Sequence, residues 1–142
     1  MAASLARVVY AIVIGCSCVT WLGCYGKPAG FPDLSDVEGT VTVDGQPVGN
    51  LAVTFVPDNG RPSLGITDEE GHYELSYFRG ETGAVLGTHK VMISTNLDEP
   101  PPAGYRDPIP FQYNLKSTLT AEVVDGENVF DFQLDTKSRR RR

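Results

Sequence analysis

Apolar and polar residues alternate with a period of two along most of the chain after residue 36. In the segment 37–43, Val37, Val41 and Val43 share one face, whereas Glu38 lies on the other. Successive side chains of a β-strand point to opposite sides, so this period predicts half-buried strands. The same pattern, or a short apolar run, recurs six times, at 51–56, 64–67, 72–78, 88–95, 117–124 and 128–134. The sequence therefore predicts seven strands, with no amphipathic helix after the first 23 residues.

Turn-forming residues separate these segments. Asp44–Gly45 and Asp125–Gly126 supply residues that tolerate a positive φ, and in 68–71 we expect Asp68 to cap a turn and Gly71 to be left-handed. We expect the strands at 37–43 and 51–56 to pair or to lie side by side. Two packed antiparallel sheets, an all-β sandwich, are the economical fold for such a pattern.

The first 23 residues have the features of a targeting segment. Arg7 gives a weakly positive start, a charge-free apolar run extends from Val8 to Leu22, and Gly23–Cys24 ends it. This pattern is typical of a lipoprotein signal peptide, in which a small residue precedes the cysteine that is acylated. We predict lipidation of Cys24, because two or three acyl chains hold a protein stably to a bilayer. Residues 24–36, rich in Gly, Pro, Asp and Ser, are predicted to be a flexible tether.

Two alternatives for the leader stay open. Trp21 stands where lipoproteins usually carry a leucine, and the local pattern ending at Cys16 fits better but leaves a short apolar run before it. An uncleaved signal anchor is the second alternative, because the apolar stretch nearly suffices to span a bilayer. All three cysteines (Cys16, Cys18 and Cys24) lie in or at the end of this run, so a disulfide framework in the domain is excluded.

Charge is distributed unevenly along the chain. Residues 24–136 carry 6 basic and 18 acidic residues, a net charge of -12. Such a surface repels phosphates, which excludes nucleic acid as a partner of the domain body. Residues 136–142 are predicted to be a basic, disordered tail. Its arginines are candidates for contact with anionic lipid, an envelope polymer or an acidic partner: Arg139, Arg140, Arg141 and Arg142.

Residue types and spacings that carry catalysis or bind metals are missing from the sequence. His72 and His89 are too far apart for a His-x-x-x-His site, and the run 68–70 lacks the alternating oxygen ligands of a calcium loop. Nucleophile elbows, phosphate-binding loops and dinucleotide glycine motifs are also absent. We expect no catalytic residues, no metal and no cofactor.

The best candidate for a contact surface is the stretch 96–112, which contains five prolines and is predicted to be a long loop. Tyr105, Phe111 and Tyr113 lie in or next to it, and aromatic residues on loops are common at interfaces. The alternative is that these rings pack the loop onto the sandwich.

Several stretches resemble a known family. GTVTVDGQPV at 39–48, VTF at 53–55 and TDEEGHY at 67–73 resemble the carboxypeptidase regulatory-like domain. YNLKSTLT at 113–120 and GENVFDF at 126–132 are similar to short bacterial lipoproteins that carry only this domain. The resemblance implies a seven-stranded antiparallel Greek-key β-sandwich of the transthyretin (prealbumin) type over residues 37–135. It also implies an accessory, binding or structural module, since the family lacks the zinc and catalytic residues of the carboxypeptidases.

Leader, domain and missing motifs together predict a non-catalytic lipoprotein of the cell envelope. We expect it to be anchored to a membrane by its N-terminal lipid, to face the periplasm or the exterior, and to contact an envelope protein or polysaccharide. The alternative function is an accessory subunit of an envelope enzyme or transport system.

Overall fold

The structure, a computed structural model, describes residues 32–136. These residues form short strands joined by turns and loops, and this part of the chain has no helix. No segment of it could therefore cross a bilayer as an apolar helix. The strands are β1 (Leu34–Ser35), β2 (Val37–Val43), β3 (Gln46–Pro47), β4 (Leu51–Pro57), β5 (Ser63–Ile66), β6 (His72–Glu74), β7 (Ala84–Val85), β8 (Gly87–Thr95), β9 (Leu119–Val123), β10 (Asn128–Val129) and β11 (Phe132–Leu134).

Four strands form an antiparallel sheet in the order β5–β4–β8–β9. β4 pairs with β8 along its whole length, from Leu51 opposite Thr95 to Pro57 opposite His89. In β4 and β9 the residues that the alternation predicts to face inward are buried, except that Leu119 is half-buried; the buried ones are Leu51, Val53, Phe55, Ala121 and Val123. In β8, His89, Val91 and Ile93 share the buried face, as the alternation predicts.

A second sheet is built around β2. On one side β2 pairs antiparallel with β3 and β6. On its other side the segment 128–134 runs parallel to it, with Asn128 opposite Val37 and Leu134 opposite Val43. This segment is interrupted at Phe130–Asp131, which separates β10 from β11. A small third pair joins β1 to β7, with Leu34 opposite Val85.

Aromatic rings from both sheets meet in a common core. The ring of Phe55 in β4 lies 5.7 Å from that of Phe130, at the break between β10 and β11, and 6.2 Å from that of Phe132 in β11. Tyr73 of β6 stacks on Phe132 at 6.4 Å. The chain from residue 32 to 136 is therefore an all-β, sandwich-like fold with one apolar core.

Several predictions about pairing were wrong. The last strand runs parallel to β2, so the fold is not wholly antiparallel. The strands at 37–43 and 51–56 are not neighbours, because β4 belongs to the other sheet. The predicted turn at Asp125–Gly126 is present, with φ 107° at Gly126, and it leads from β9 into the second sheet. Alternation specifies which face of a strand is buried but not which strand lies beside it.

Two element boundaries also differ from the prediction. The strand predicted at 72–78 ends at Glu74, because Ser76 leaves β2 and pairs with Leu64 of β5. The predicted tether reached residue 36, whereas β1 lies within it and pairs with β7. Strand pairing therefore includes Leu34 and Ser35, which lie before the predicted start of the domain.

The turn between β5 and β6 agrees with the prediction in detail. The carboxylate of Asp68 accepts the backbone N–H groups of Glu70 at 3.1 Å and His72 at 2.8 Å. Gly71 has a φ of 77°, the left-handed conformation that favours glycine. Tyr73 follows as a buried, inward-facing ring, 1% exposed.

Candidate functional site

A single carboxylate organises the proline-rich loop between β8 and β9. Oδ2 of Asp107 accepts the backbone N–H of Thr95 at 3.0 Å and the Nδ2–H of Asn114 at 3.2 Å. Its Oδ1 accepts the hydroxyl of Thr95 at 3.0 Å and the backbone N–H of Ile109 at 2.9 Å. Four donors on three segments of the chain thus converge on one side chain, so the loop has a defined shape although it lacks regular secondary structure.

Ile109 anchors the same loop to the core. Its side chain is only 5% exposed, and Pro110 beside it is buried as well. A cleft beside it is lined by Arg106, Asp107, Ile109 and Phe111. The cleft therefore combines an apolar wall, a guanidinium group and the carboxylate that holds the loop.

The three aromatic residues proposed as a contact surface have different environments. Tyr113 packs against the core, its backbone carbonyl accepts the N–H of Ile93 at 2.6 Å, and its hydroxyl accepts the N–H of Asp135 at 3.0 Å. Tyr105 and Phe111 are exposed, by 37% and 51%. Tyr113 thus follows the packing alternative, whereas Tyr105 and Phe111 are accessible to a partner.

The sequence did not reveal two further exposed apolar residues of the proline-rich loop, nor the role of Asp107 in holding that loop. Leu97 and Leu115 are 41% and 70% exposed and lie at the two ends of the same loop. Isolated leucines in an irregular segment follow no period that would separate exposed from buried positions. The role of Asp107 is equally invisible in the sequence, because its partners come from residues 95 to 114. We call the exposed set the loop surface: Leu97, Tyr105, Phe111 and Leu115.

A second cleft is acidic. It lies beside the start of β2 and is lined by Asp36, Val37, Glu38, Glu74, Glu127 and Asn128. An adjoining depression adds Asp125. These carboxylates concentrate part of the domain's negative charge at one end of the second sheet and disfavour the approach of anions there.

The two histidines lie in different environments. His72 is exposed, whereas His89 is 1% exposed and lies with its ring centroid 5.7 Å from that of Phe55. Histidines are more often half-buried or exposed than fully buried, so the burial of His89 departs from what its residue type suggests. Its Nε2 lies 2.7 Å from the carbonyl oxygen of Val85, so Nε2 is the donor, and Nδ1 has no partner among the described residues. No group of three or more His, Cys, Asp or Glu side chains within residues 32–136 is arranged to hold a metal ion.

Two ionisable groups flank the junction of β2 with the last strand. Burial, reinforced by the negative charge of Asp131, raises the pKa of Tyr73 far above its ordinary value. The neutral phenol donates to the carbonyl oxygen of Phe130 at 2.8 Å. The pKa of Asp131 is lowered, because its carboxylate accepts the hydroxyl of Thr40 at 2.6 Å and the backbone N–H of Thr40 at 2.9 Å. The two hydrogen bonds between Thr40 and Asp131 join segments that are 91 residues apart in sequence.

The remaining predicted site residues lie outside the described residues. They are Cys24, with the whole predicted signal peptide, and the arginines of the tail, Arg139 to Arg142. Their roles stay predictions from the sequence.

No protein-family model matches the chain, and no curated protein matches it. Solved structures of two DUF3823 family proteins are similar to it. The protein from Bacteroides ovatus is 17% identical with a TM-score of 0.45, and the match covers 72% of this chain and 44% of that one. The protein from Parabacteroides merdae is 12% identical with a TM-score of 0.41, and the match covers 73% and 47%. The chain thus aligns with less than half the length of either protein.

Proposed function

We propose that this chain is a membrane-tethered lipoprotein of the cell envelope whose β-sandwich is a non-catalytic binding module. The observation that carries the binding role is the loop surface, which exposes four apolar side chains on a loop held by the carboxylate of Asp107. Several exposed apolar side chains on one ordered loop favour an interaction site there. A loop already ordered before binding loses little conformational entropy when a partner docks.

The partner that fits this surface best is another envelope protein. Leu97 and Leu115 are aliphatic and Phe111 is aromatic, a mixture that buries well against an apolar protein patch. Arg106 beside the cleft adds a group that pairs with a carboxylate at the rim. A polysaccharide would instead depend mainly on the rings of Tyr105 and Phe111.

The leader supports the location. Its charge-free run ending at Gly23–Cys24 is the reason to propose a lipid anchor on Cys24 and a domain that faces the periplasm or the exterior. The basic tail, Arg139 to Arg142, would add contact with anionic lipid or an acidic partner.

We further propose that the domain is a carboxypeptidase regulatory-like domain with the seven-stranded Greek-key topology of transthyretin. Two glycines in the stretches that resemble the family occupy positions only glycine fits well. A Cβ at Gly39 would lie 1.9 Å from the carbonyl oxygen of Phe130, and one at Gly71, whose φ is 77°, would lie 2.5 Å from that of Val41. These constraints support the resemblance, because they arise where the resembling stretches meet other strands.

Labelling with a palmitate analogue in intact bacterial cells tests the anchor. We expect Cys24→Ala to lose the label, whereas the matched variants Cys16→Ala and Cys18→Ala keep it. Unchanged labelling of Cys24→Ala would overturn this assignment, and loss in Cys16→Ala alone would move the anchor to that cysteine.

Site-specific photo-cross-linking tests the loop surface. A photoreactive residue at Phe111 or Leu115 should capture a defined envelope protein, whereas the same residue at the exposed Gln133, on the other sheet, should not. A capture that is no stronger at Phe111 than at Gln133 would refute the binding role of the loop. Capture of an enzyme or transporter in one-to-one stoichiometry would instead favour an accessory subunit.

A further inference from the structure

The direction of the backbone groups in β9 follows from its neighbour. β8 directs the N–H of Ile93 to the carbonyl of Tyr113 and the carbonyl of Val91 to the hydroxyl of Ser117, both on the β9 side. Backbone groups alternate sides along a strand, so the residues that bond to β8 are those opposite Val91, His89 and Gly87. By register these are Leu119, Ala121 and Val123.

The intervening residues of β9 therefore present their N–H and C=O groups away from the sheet. Thr120 and Glu122 of β9, and Thr118 immediately before it, are exposed, and within residues 32–136 none of their backbone groups pairs with another residue on that side. β9 is consequently an open edge of the four-stranded sheet.

Both ends of this open edge are closed by the chain itself. At the N-terminal end, the N–H of Lys116 donates to the carbonyl of Phe111 at 2.9 Å. At the C-terminal end, the side chain of Asn128 accepts the N–H of Val124 at 2.9 Å and donates to the carbonyl of Val124 at 2.8 Å. The open stretch is thus limited to three outward-facing residues with Thr120 at its centre.

Other edges of the two larger sheets are obstructed. The backbone of Leu64 in β5 is already bonded to Ser76 in both directions at 2.9 Å, and β3 contains Pro47. The segment 128–134 is broken at Phe130–Asp131. β9 has neither a proline nor a break, and within Leu119–Val123 it carries a single charged residue, Glu122.

We propose that β9 pairs antiparallel with β9 of a second copy of this chain, about a two-fold axis at Thr120. This register sets Thr120 opposite its own counterpart and Thr118 opposite Glu122 of the other copy, so it uses all the open groups in about six backbone hydrogen bonds. The facing pairs, threonine with threonine and threonine with glutamate, are favourable. Centring the pair on Glu122 would place two carboxylates face to face, and a shift by one pair would need Val124, whose groups are occupied.

The pairing closes on itself, because each copy has one such edge and the two-fold axis uses both. The two acidic domains repel each other, so salt strengthens the dimer. An edge contact of this kind is a small interface, so we expect a weak dimer that forms only at high protein concentration.

Charged substitutions at Thr120, the residue on the two-fold axis, test the register. The full chain, purified in a mild non-ionic detergent at moderate salt, is examined by sedimentation equilibrium as wild type, Thr120→Lys and Thr120→Glu. Each variant places like charges opposite each other, and we expect it to dimerise roughly tenfold more weakly, the equivalent of ~1.4 kcal/mol. An equimolar mixture of the two should dimerise again, because it pairs lysine with glutamate. Gln133→Lys, an exposed residue of β11, is the matched control and should behave like wild type.

Amide exchange provides a second readout. Above the dissociation constant, the N–H groups of Thr118, Thr120 and Glu122 should exchange more slowly in wild type than in Thr120→Lys, while the β4–β8 amides stay protected in both and report an intact fold. A wild type that stays monomeric at millimolar concentration, single variants that dimerise normally, or a mixture that stays monomeric would each overturn the proposal. So would a monomeric wild type that captures an extended peptide of another protein along β9.

Discussion

Replacing Asp107 with alanine removes the group on which the proline-rich loop converges. Four hydrogen bonds are lost, to two donors on Thr95 and one each on Ile109 and Asn114. A hydrogen bond to a charged group contributes about 1.5–3 kcal/mol when it is well buried. Asp107 is half-exposed and water can replace part of what is lost, so we expect about 2–3 kcal/mol in total.

The matched control is Asp98→Ala. Asp98 lies in the same loop and is exposed, so this substitution removes the same charge without the four bonds and should cost no more than about 0.5 kcal/mol. Asp107→Asn should fall between the two, because the amide keeps one acceptor oxygen.

Urea unfolding followed by far-ultraviolet circular dichroism measures these free energies. For a domain of this size, the loss in Asp107→Ala corresponds to a fall in Tm of roughly 8–15 °C. The same variant should weaken photo-cross-linking from Phe111, since the loop surface is no longer held in place. If Asp107→Ala costs as little as Asp98→Ala, the carboxylate does not organise the loop and the reasoning about a preformed surface fails.

Three further substitutions concern the junction between β2 and the last strand. Gly39→Ala should cost about 3 kcal/mol or more in urea unfolding, because its Cβ would meet the carbonyl of Phe130 at 1.9 Å; a cost below about 1 kcal/mol would contradict that close approach. Tyr73→Phe should lower the free energy of unfolding by about 1 kcal/mol at pH 7, because the hydrogen bond to the carbonyl of Phe130 is lost. The raised pKa of Tyr73 contributes stability that is present below the ordinary tyrosine pKa and is lost as pH rises above that value. The variant lacks this group, so its stability should change less with pH in alkaline solution. Thr40→Val should raise the pKa of Asp131 in an NMR titration, because it removes the hydroxyl that stabilises the carboxylate. The lowered pKa of Asp131 contributes stability that is present above the ordinary aspartate pKa and is lost as pH falls through the lower, folded-state pKa. The variant should therefore lose less stability in acid than the wild type does. An unchanged titration of Asp131 would exclude the Thr40 hydroxyl as the cause of its shift.

The sequence predicted the loop of the candidate site but not its organisation. Five prolines mark the stretch 96–112 as irregular, and aromatic residues nearby suggest contact. Which ring is buried depends on the distance of each residue from the core. Tyr113 lies beside β8 and packs, whereas Phe111, two residues earlier, is exposed. No period in the sequence distinguishes the two.

Local patterns in the sequence were enough to determine the all-β class, the buried face of each long strand, and the turn formed by Asp68 and Gly71. These features depend on neighbours within a few residues, and the alternation and turn chemistry of such neighbours are visible in the sequence.

Only the tertiary structure decided which strands pair, that the last strand runs parallel to β2, and why Gly39 must lack a side chain. These features depend on contacts between segments as far as 92 residues apart, such as Asp36 with Asn128. A strand presents the same backbone groups to every possible neighbour, so its own sequence does not identify its partner. The choice is made when the core closes and the side chains of both sheets have to fit together.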